Sequence, residues 1–365
     1  MRKYIIIISI LTFTVLSCKK SSENEHVSHD QEYSVTLKYA KGFAVKESNS
    51  HKVIEIFNPW PNSNNSFKHT FSKNDLPVNS MVVTSTTHIP ALELLGVENT
   101  LVGFPGTDYI SSKKTRNLIE AEQIRELGKN ESMNTEVLLD LKPDVIIGFG
   151  VDGTNKVFET IEKSGIPVIY NGDWTEDSPL AKAEWIKLFG VLFNKEKEAD
   201  SIFNKIETDY LEAKLLAKNV NHKPTVLSGA MSKDVWYLPT GSSPEAKLLK
   251  DANVDYLWQE SSGSGSLALS FESVFENAKN AEIWLSPSYY ASYTDLENAN
   301  QHYAHFDAFK NRSIYTFSNT KVETGGVLYY ELGIARPDLV LKDIIKICHP
   351  DLLSDYQPYF FKPLE

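Results

Sequence analysis

Apolar side chains recur at spacings of three and four residues between positions 199 and 216, which is the pattern of one buried helix face. Ser178 and Pro179 are suited to begin a helix, because a serine hydroxyl caps free N–H groups and proline has no N–H to leave unbonded. Gly190 and Asn194 indicate a break, after which a second helix would run about 25 residues, or roughly 37 Å. We predict that residues 178–220 are connecting helices. The apolar positions are Ala199, Ile202, Phe203, Ile206, Tyr210, Ala213 and Leu216.

Strand patterns alternate with helix patterns on both sides of this connector. The run 144–148 is continuously apolar after its first residue, as is typical of a strand buried on both faces of a parallel sheet. Alternation of this kind predicts an α/β fold with two Rossmann-like lobes, at 76–177 and 221–365, joined by a single long helix. The lobes would face each other across a cleft at the carboxyl ends of the strands, where ligands of such folds bind. Other predicted strands are 81–84, 101–104, 167–170, 225–227, 235–238, 255–258, 282–285 and 313–317.

Two short strand patterns, at 34–39 and 52–57, precede the first lobe. A turn region around Gly42 and residues 48–50 separates them, and the sequence 58–62 then interrupts the pattern with two prolines. We predict that residues 33–75 form an N-terminal β extension, packed on the edge of the first lobe.

The N-terminus has the features of an export signal: Arg2 and Lys3 precede an apolar run over residues 4–16. The following residues, Val15-Leu16-Ser17-Cys18, are similar to the lipobox of bacterial lipoproteins, which is cut before the lipid-bearing cysteine. We predict a signal peptide at 1–17, a lipid on Cys18 and a flexible, polar tether at 18–32. The protein would be an exported lipoprotein, periplasmic or at the cell surface and anchored to the membrane.

Composition excludes several classes of protein and site. The chain has 365 residues, of which 41% are hydrophobic and 23% charged, as expected for a packed globular protein. A net charge of -11 without a basic cluster argues against nucleic-acid binding. Once Cys18 carries lipid, Cys348 is the remaining cysteine, so neither a disulfide framework nor a cysteine metal cluster is expected.

Two patterns suggest other chemistry. Residues 148–153 match the dinucleotide fingerprint GxGxxG, and Asp173 lies where a ribose-binding acid is sought. Export and the position of the turn after an earlier βα unit disfavour a nicotinamide cofactor, and the alternative is a turn that lets a ligand or the opposing lobe approach. The histidines suggest a bare-metal site, although their spacing matches no metal motif. No GxSxG elbow of a hydrolase occurs. The candidate metal ligands are His88, His302 and His305 with Asp108 or Glu323.

Aromatic residues at predicted strand ends and in loops are the most informative candidates for ligand binding, because rings offer a large rigid area with a polar tip. Thr86, His88 and Gly150 complete the set. The predicted ligand-binding residues are Thr86, His88, Phe104, Tyr109, Gly150, Trp174, Trp236, Tyr237, Tyr289, Tyr290 and Tyr293.

The order and spacing of several segments around the connector resemble the class III substrate-binding proteins of ABC importers for iron siderophores and cobalamin. The resemblance spans roughly residues 78–353 and excludes the β extension. It implies a monomeric, non-enzymatic protein without a cofactor, which captures a metal chelate between its lobes and delivers it to a membrane permease. The segments are 81–83, 93–96, 102–103, 134–136, 141–147, 309–315, 335–340 and 349–351.

The resemblance also implies permease docking through one acidic residue on each lobe. Glu272 matches the second-lobe position, whereas the first-lobe position falls near Asn155, with Glu159 one turn further on. A ferric siderophore is the favoured ligand and cobalamin the second. The alternatives are an exported binder of a bare transition-metal ion and a nucleotide-dependent oxidoreductase.

Overall fold

The computed structural model describes residues 32–365, apart from positions 34, 154 and 264. The proposed signal peptide at 1–17, Cys18 and the tether up to residue 31 lie outside the described residues. Within the described part, no helix is both long enough and apolar enough to cross a membrane.

The first described element is a four-stranded antiparallel sheet, which forms the β extension. The apolar side chains of its central strands, among them Val45 and Ile54, are fully buried in one core with residues of the first lobe and the connector. Burial of this apolar surface makes the extension an integral part of the lobe. The strands, in both chain and spatial order, are β1 (Glu32–Tyr33), β2 (Phe43–Glu47), β3 (His51–Phe57) and β4 (Ser66–Ser72).

Two buried carboxylates, one just before the connector and one within it, fasten the chain that leads into β2. The Glu184 carboxylate accepts hydrogen bonds from the N–H groups of residues 38–40 at 2.8–2.9 Å. Glu176 Oε1 accepts from the N–H groups of residues 41–42, each at 2.9 Å. These bonds replace the strand predicted at 34–39, and for its described part that prediction is wrong.

The first lobe contains a five-stranded sheet of spatial order β11-β10-β5-β6-β7, with all neighbours parallel. Its helix ends carry the expected signals: Asn134 Oδ1 accepts from the Val137 N–H at 3.1 Å, and Gly96 adopts φ +67° after α1. The elements are β5 (Met81–Val83), α1 (Ile89–Leu95), β6 (Leu101–Phe104), α2 (Lys113–Glu120), β7 (Arg125–Glu126), β8 (Gly128–Lys129), β9 (Ser132–Met133), α3 (Thr135–Leu141), β10 (Val145–Gly148), α4 (Lys156–Lys163) and β11 (Val168–Tyr170).

The connector consists of α5 (Pro179–Ala183), α6 (Ile186–Leu192) and α7 (Glu196–Ala217). The helical structure is interrupted between α6 and α7 at Asn194, which has φ +53°. The 22 residues of α7 span about 33 Å. The first half of α7 packs in the core of the first lobe and its second half in the core of the second lobe. One rigid element therefore contributes to both cores.

The second lobe repeats the architecture with the strand order β15-β12-β17-β18-β19, in which only the edge strand β19 is antiparallel. The strand predicted at 235–238 belongs instead to a separate antiparallel sheet, β13-β14-β16. The elements are β12 (Thr225–Ser228), β13 (Ala230–Ser232), β14 (Val235–Pro239), α8 (Pro244–Asp251), β15 (Asp255–Tyr256), β16 (Ser266–Leu269), α9 (Phe271–Ala278), β17 (Ile283–Leu285), α10 (Tyr293–Ala299), α11 (Asp307–Lys310), β18 (Ile314–Thr316), α12 (Leu328–Leu332), α13 (Pro337–Cys348) and β19 (Lys362–Pro363). The predicted fold class is confirmed.

Candidate functional site

A cavity of about 370 Å³ lies at the carboxyl ends of β12, β17 and β18 in the second lobe. Gly229, Ser286 and Phe317 line it directly after these three strands, and α5 of the connector closes one side. Ligands of open α/β sheets bind outside the carboxyl ends of the strands, in cavities of roughly 300–1,000 Å³. Position and size make this cavity the candidate ligand site.

The cavity has an apolar interior and an aromatic wall. Leu248 of α8 and Val340 of α13 contribute to the interior. The Phe317 ring stacks on Tyr329 and meets Tyr330 edge to face, each at a centroid distance of 5.0 Å. Burial raises the pKa of Tyr330 above its ordinary value, and the neighbouring Tyr289 adds to the shift. Burial also raises the pKa of Tyr329, so the phenols of Tyr329 and Tyr330 are neutral and offer hydrogen-bond donors and flat apolar surfaces.

The backbone at the end of β17 is strained beside the cavity. Ser286 and Ser288 both line the cavity and have φ values of +59° and +55°. The left-handed region costs a residue other than glycine about 1–2 kcal/mol, and such strain clusters at functional sites. The Ser318 hydroxyl helps to hold the turn by donating to the Ser288 carbonyl at 3.2 Å. This conformation places two serine hydroxyls next to the aromatic wall.

Charge at the edge of the cavity is balanced. Lys182 of α5 lines the cavity, and its Nζ lies 3.7 Å from Glu245 Oε1 on α8. Burial raises the pKa of Asp173 to about 6, and the Lys182 ammonium acts against that shift. The lysine therefore lies between carboxylates and offers little net positive charge to an anionic ligand.

The extension covers the strand ends on one side of the first lobe. A Cβ atom at Gly150 would lie 3.0 Å from the Trp60 ring, and one at Gly172 would lie 3.0 Å from Pro59 Cα. The glycines that follow β10 and β11 thus allow close approach of the extension. At Gly150 the close approach that was predicted for the turn at 148–153 is made by the Trp60 ring of the extension, rather than by a ligand or the opposing lobe.

Among the residues predicted to bind ligand, Tyr237 lines the cavity. Tyr289 lies beside its wall, with its ring 6.1 Å from that of Tyr330, and is 67% exposed. Thr86, Tyr109, Trp174 and Tyr290 are accessible to different degrees but do not line this cavity, and their roles remain predictions.

Four predicted ligand residues have buried side chains, so the prediction of direct contact needs correction. Trp236 is stacked on Trp284 in the core and donates from Nε1 to the Ser228 carbonyl. The Tyr293 ring carries the Arg312 guanidinium at 4.3 Å. His88 and Phe104 are at most 2% exposed in the first lobe. Gly150, which has no side chain, is covered by the Trp60 ring.

The proposed metal ligands do not assemble. The rings of His302 and His305 lie 6.0 Å apart and pack on Phe271 and Phe275 of α9. His88 is buried in the first lobe against Phe189 of the connector. Across the described residues, no group of three or more His, Cys, Asp or Glu side chains is arranged to hold a metal ion.

Sequence reasoning missed Phe317, Tyr330 and the two strained serines. Phe317 was assigned to the end of a predicted strand, although it follows β18 and could have been placed at the cleft. Tyr330 lies in the five-residue helix α12, which is too short to give a periodic pattern.

A family model for periplasmic binding proteins matches residues 81–320, which is more than half of the chain. The chain belongs to the periplasmic binding protein family. An uncharacterized lipoprotein of Methanocaldococcus jannaschii is 29% identical over 295 residues, which cover 79% of this chain and 69% of the relative.

Solved structures show the same fold for this periplasmic binding protein. A periplasmic binding protein from Veillonella parvula superposes with a TM-score of 0.60 at 15% identity, covering 90% of this chain and 99% of the other. A protein of an ABC-type Fe3+-hydroxamate transport system from Saccharomonospora viridis has a TM-score of 0.58 at 15% identity, covering 77% of this chain and 96% of the other.

Proposed function

We propose that this protein is the substrate-binding lipoprotein of an ABC importer, which captures a metal chelate between its lobes and delivers it to a membrane permease. The observation that supports this function is the aromatic cavity at the strand ends, with the strained Ser286 and Ser288 at its wall. Lipid on Cys18 would hold the protein, as a monomer, at the membrane. The long helix α7 would limit how far the lobes separate.

The ligand class follows from the lining of the cavity. Neutral phenols, serine hydroxyls and apolar side chains suit a chelate of low net charge, since burying a charged group without a partner is costly. The described arginines have other partners or positions: Arg312 stacks on Tyr293, and Arg116 donates to the Thr107 carbonyl at 2.8 Å. Within the part of the chain that the structure describes, no arginine lines the cavity. A ferric siderophore is the favoured ligand, with cobalamin second, and the solved relative from a hydroxamate transport system supports this order.

Titration of the purified protein with cobalamin and a panel of ferric siderophores tests the ligand class. Two indoles report on the cavity wall, because Trp236 and Trp284 donate to the carbonyls of Ser228 and Gly229 at 3.0 and 2.8 Å. We expect saturable quenching of tryptophan fluorescence by at least one chelate. Quenching by bare nickel, zinc or manganese alone would contradict the chelate proposal, as would quenching by nicotinamide cofactor alone.

Docking on the permease is tested by charge reversal. Glu272 is exposed in the first turn of α9, as a partner for a basic permease surface requires. We expect Glu272→Lys to weaken chelate-stimulated ATPase activity of the reconstituted importer, because like charges would then meet at the interface. Chelate affinity should stay unchanged.

The matched control is Glu276→Lys, an exposed residue one turn further along the same helix. Equal losses in both variants, or a parallel loss of chelate affinity in Glu272→Lys, would argue against a specific docking role. Glu159 on α4 is exposed and is the corresponding candidate on the first lobe.

A further inference from the structure

The short helix α12 belongs to both the ligand cavity and the boundary between the lobes. Tyr329 and Tyr330 line the cavity, whereas the next residue, Glu331, is only 2% exposed. The helix packs against α1 and the 3-10 turn Thr86–His88 of the first lobe. Consecutive residues of α12 therefore contact the cavity and the opposite lobe.

The Glu331 carboxyl group accepts two hydrogen bonds across the boundary between the lobes. Its Oε2 accepts a hydrogen bond from the Ser111 N–H at 2.5 Å, and its Oε1 accepts one from the Ser112 N–H at 2.9 Å. Ser112 is the N-cap of α2, so the carboxyl group lies at the positive end of that helix. Two backbone N–H groups of the first lobe thus donate to a carboxyl group of the second lobe.

The surroundings hold this contact in place. Glu93 of α1 accepts from the Ser112 hydroxyl at 2.5 Å and the Thr115 hydroxyl at 2.6 Å, which fixes the start of α2. On the second lobe, a Cβ at Gly326 would lie 2.4 Å from the Tyr109 carbonyl oxygen. A glycine is needed there for the two backbones to approach this closely.

We propose that Glu331 is an interlobe latch and that α12 couples it to the ligand cavity. A ligand that contacts Tyr330 favours the position of α12 in which Glu331 reaches the N–H groups of residues 111–112, and the latched lobes in turn retain the ligand. Coupling of this kind is reciprocal. Glu331 is thus a positioning residue that touches no ligand, and its role in ligand retention rests on the proposed function.

Interlobe distances measured without ligand test the latch by itself. Spin labels at Lys156→Cys on α4 and Glu276→Cys on α9 report the distance in the full chain with Cys18→Ser, because both positions are exposed and Cys348 is buried. At pH 6 we expect Glu331→Ala to shift the closed-to-open ratio on the order of tenfold toward open, through the loss of two hydrogen bonds. Glu331→Gln, which keeps one acceptor oxygen, should give a smaller shift.

The control is Glu323→Ala, which removes an exposed glutamate from the same lobe and should leave the distances unchanged. A wild-type distance distribution in folded Glu331→Ala and Glu331→Gln, with folding verified by thermal denaturation, would overturn the latch. For coupling, the dissociation rate of a ferric trihydroxamate should rise about tenfold in Glu331→Ala. Failure of every chelate to bind would contradict the proposed function and the retention step, while the distance test of the latch would stand.

The pH dependence of the distances adds a specific readout. Burial raises the pKa of Glu331 from 4.5 to about 7, and the Glu93 carboxylate adds to the shift, while the two N–H donors oppose it. His88 of the turn against α12 stays neutral, because burial lowers its pKa to about 3. Tyr329 and Tyr330, on α12 itself, have raised pKa values and are also neutral.

The raised pKa of Glu331 determines whether closure of the lobes strengthens or weakens with rising pH. The closed form holds the proton of Glu331 more tightly than the open form, so closure is strongest below pH 4.5 and weakens as pH rises through 7. We expect the wild-type distances to lengthen between pH 5 and 8 and those of Glu331→Gln to change much less. An identical pH profile in the two proteins would contradict the assignment of this dependence to Glu331.

Discussion

Replacing Glu184 with alanine is expected to lower the free energy of unfolding by roughly 3–5 kcal/mol, the usual cost of removing one partner of a buried ionic contact. The Glu184 side chain is fully buried and accepts from three consecutive N–H groups, those of residues 38–40. It also lies 3.0 Å from the Lys187 ammonium. The substitution would leave the three N–H donors without an acceptor and would remove one of the carboxylate partners of the buried Lys187 ammonium.

Urea denaturation of the full chain measures this effect, and limited proteolysis locates it. We expect earlier cleavage near residues 35–42, because the bonds that hold this segment to the connector are lost. Glu184→Gln should cost less, since its amide oxygen can still accept. Glu198→Ala on the exposed face of α7 is the matched control and should stay within about 0.5 kcal/mol of the parent protein. Equal stabilities of the Glu184→Ala and Glu198→Ala variants would show that the extension is not held by this carboxylate.

The fold was predictable because its signals are local. Apolar runs such as 144–148 identify buried parallel strands, and the three-and-four spacing in α7 identifies a helix with one buried face. A capping residue marked one helix start, because the Ser178 side chain accepts from the Ala181 N–H at the beginning of α5. Each of these signals lies within a few residues of the structure that it specifies.

The docking of the extension could not be predicted, because it depends on contacts between residues far apart in the sequence. Its main bonds join residues 38–42 to Glu176 and Glu184, which lie more than 130 positions further along the chain. A glutamate in a helical sequence pattern normally predicts an exposed position. Nothing local to Glu184 indicates that its carboxyl group is fully buried and satisfied by a distant backbone.

The candidate site was predictable only in part, as β14 illustrates. Trp236 and Tyr237 are neighbours in a strand, so their side chains point to opposite faces. The structure buries Trp236 completely and leaves Tyr237 47% exposed at the cavity. Alternation shows that one residue of the pair faces the ligand side, but the choice depends on tertiary packing. The contribution of α12 depends in the same way on contacts between lobes.

The extension and the connector act as one brace in this protein. The extension is fastened to Glu176, just before α5, and to Glu184, between α5 and α6, and α7 then enters both cores. The lobes would keep the freedom to open that the Glu331 latch requires.

Replacing Tyr237 with alanine is expected to weaken chelate binding roughly 30-fold, which is the effect of losing an aromatic side chain at the centre of a binding site. Tyr237 lines the cavity from β14, and the residue is 47% exposed, so its ring is available for contact with a ligand. Stability should change little, since Tyr237 is 47% exposed at the edge of the cavity and is not a core residue. Fluorescence titration with the chelate that binds the parent protein measures the affinity.

Tyr359 provides a matched control for this substitution. It is also 47% exposed, but it lies near the C-terminus beside Phe360 and does not line the cavity. Tyr359→Ala should leave chelate affinity within about twofold of the parent value, because surface substitutions away from a site have small effects. Tyr237→Phe separates the two contributions of the ring: full affinity would assign the role to the aromatic face, and loss would assign it to the hydroxyl donor. Unchanged affinity in Tyr237→Ala would mean that the ligand binds elsewhere in the cleft and that this cavity is not its site.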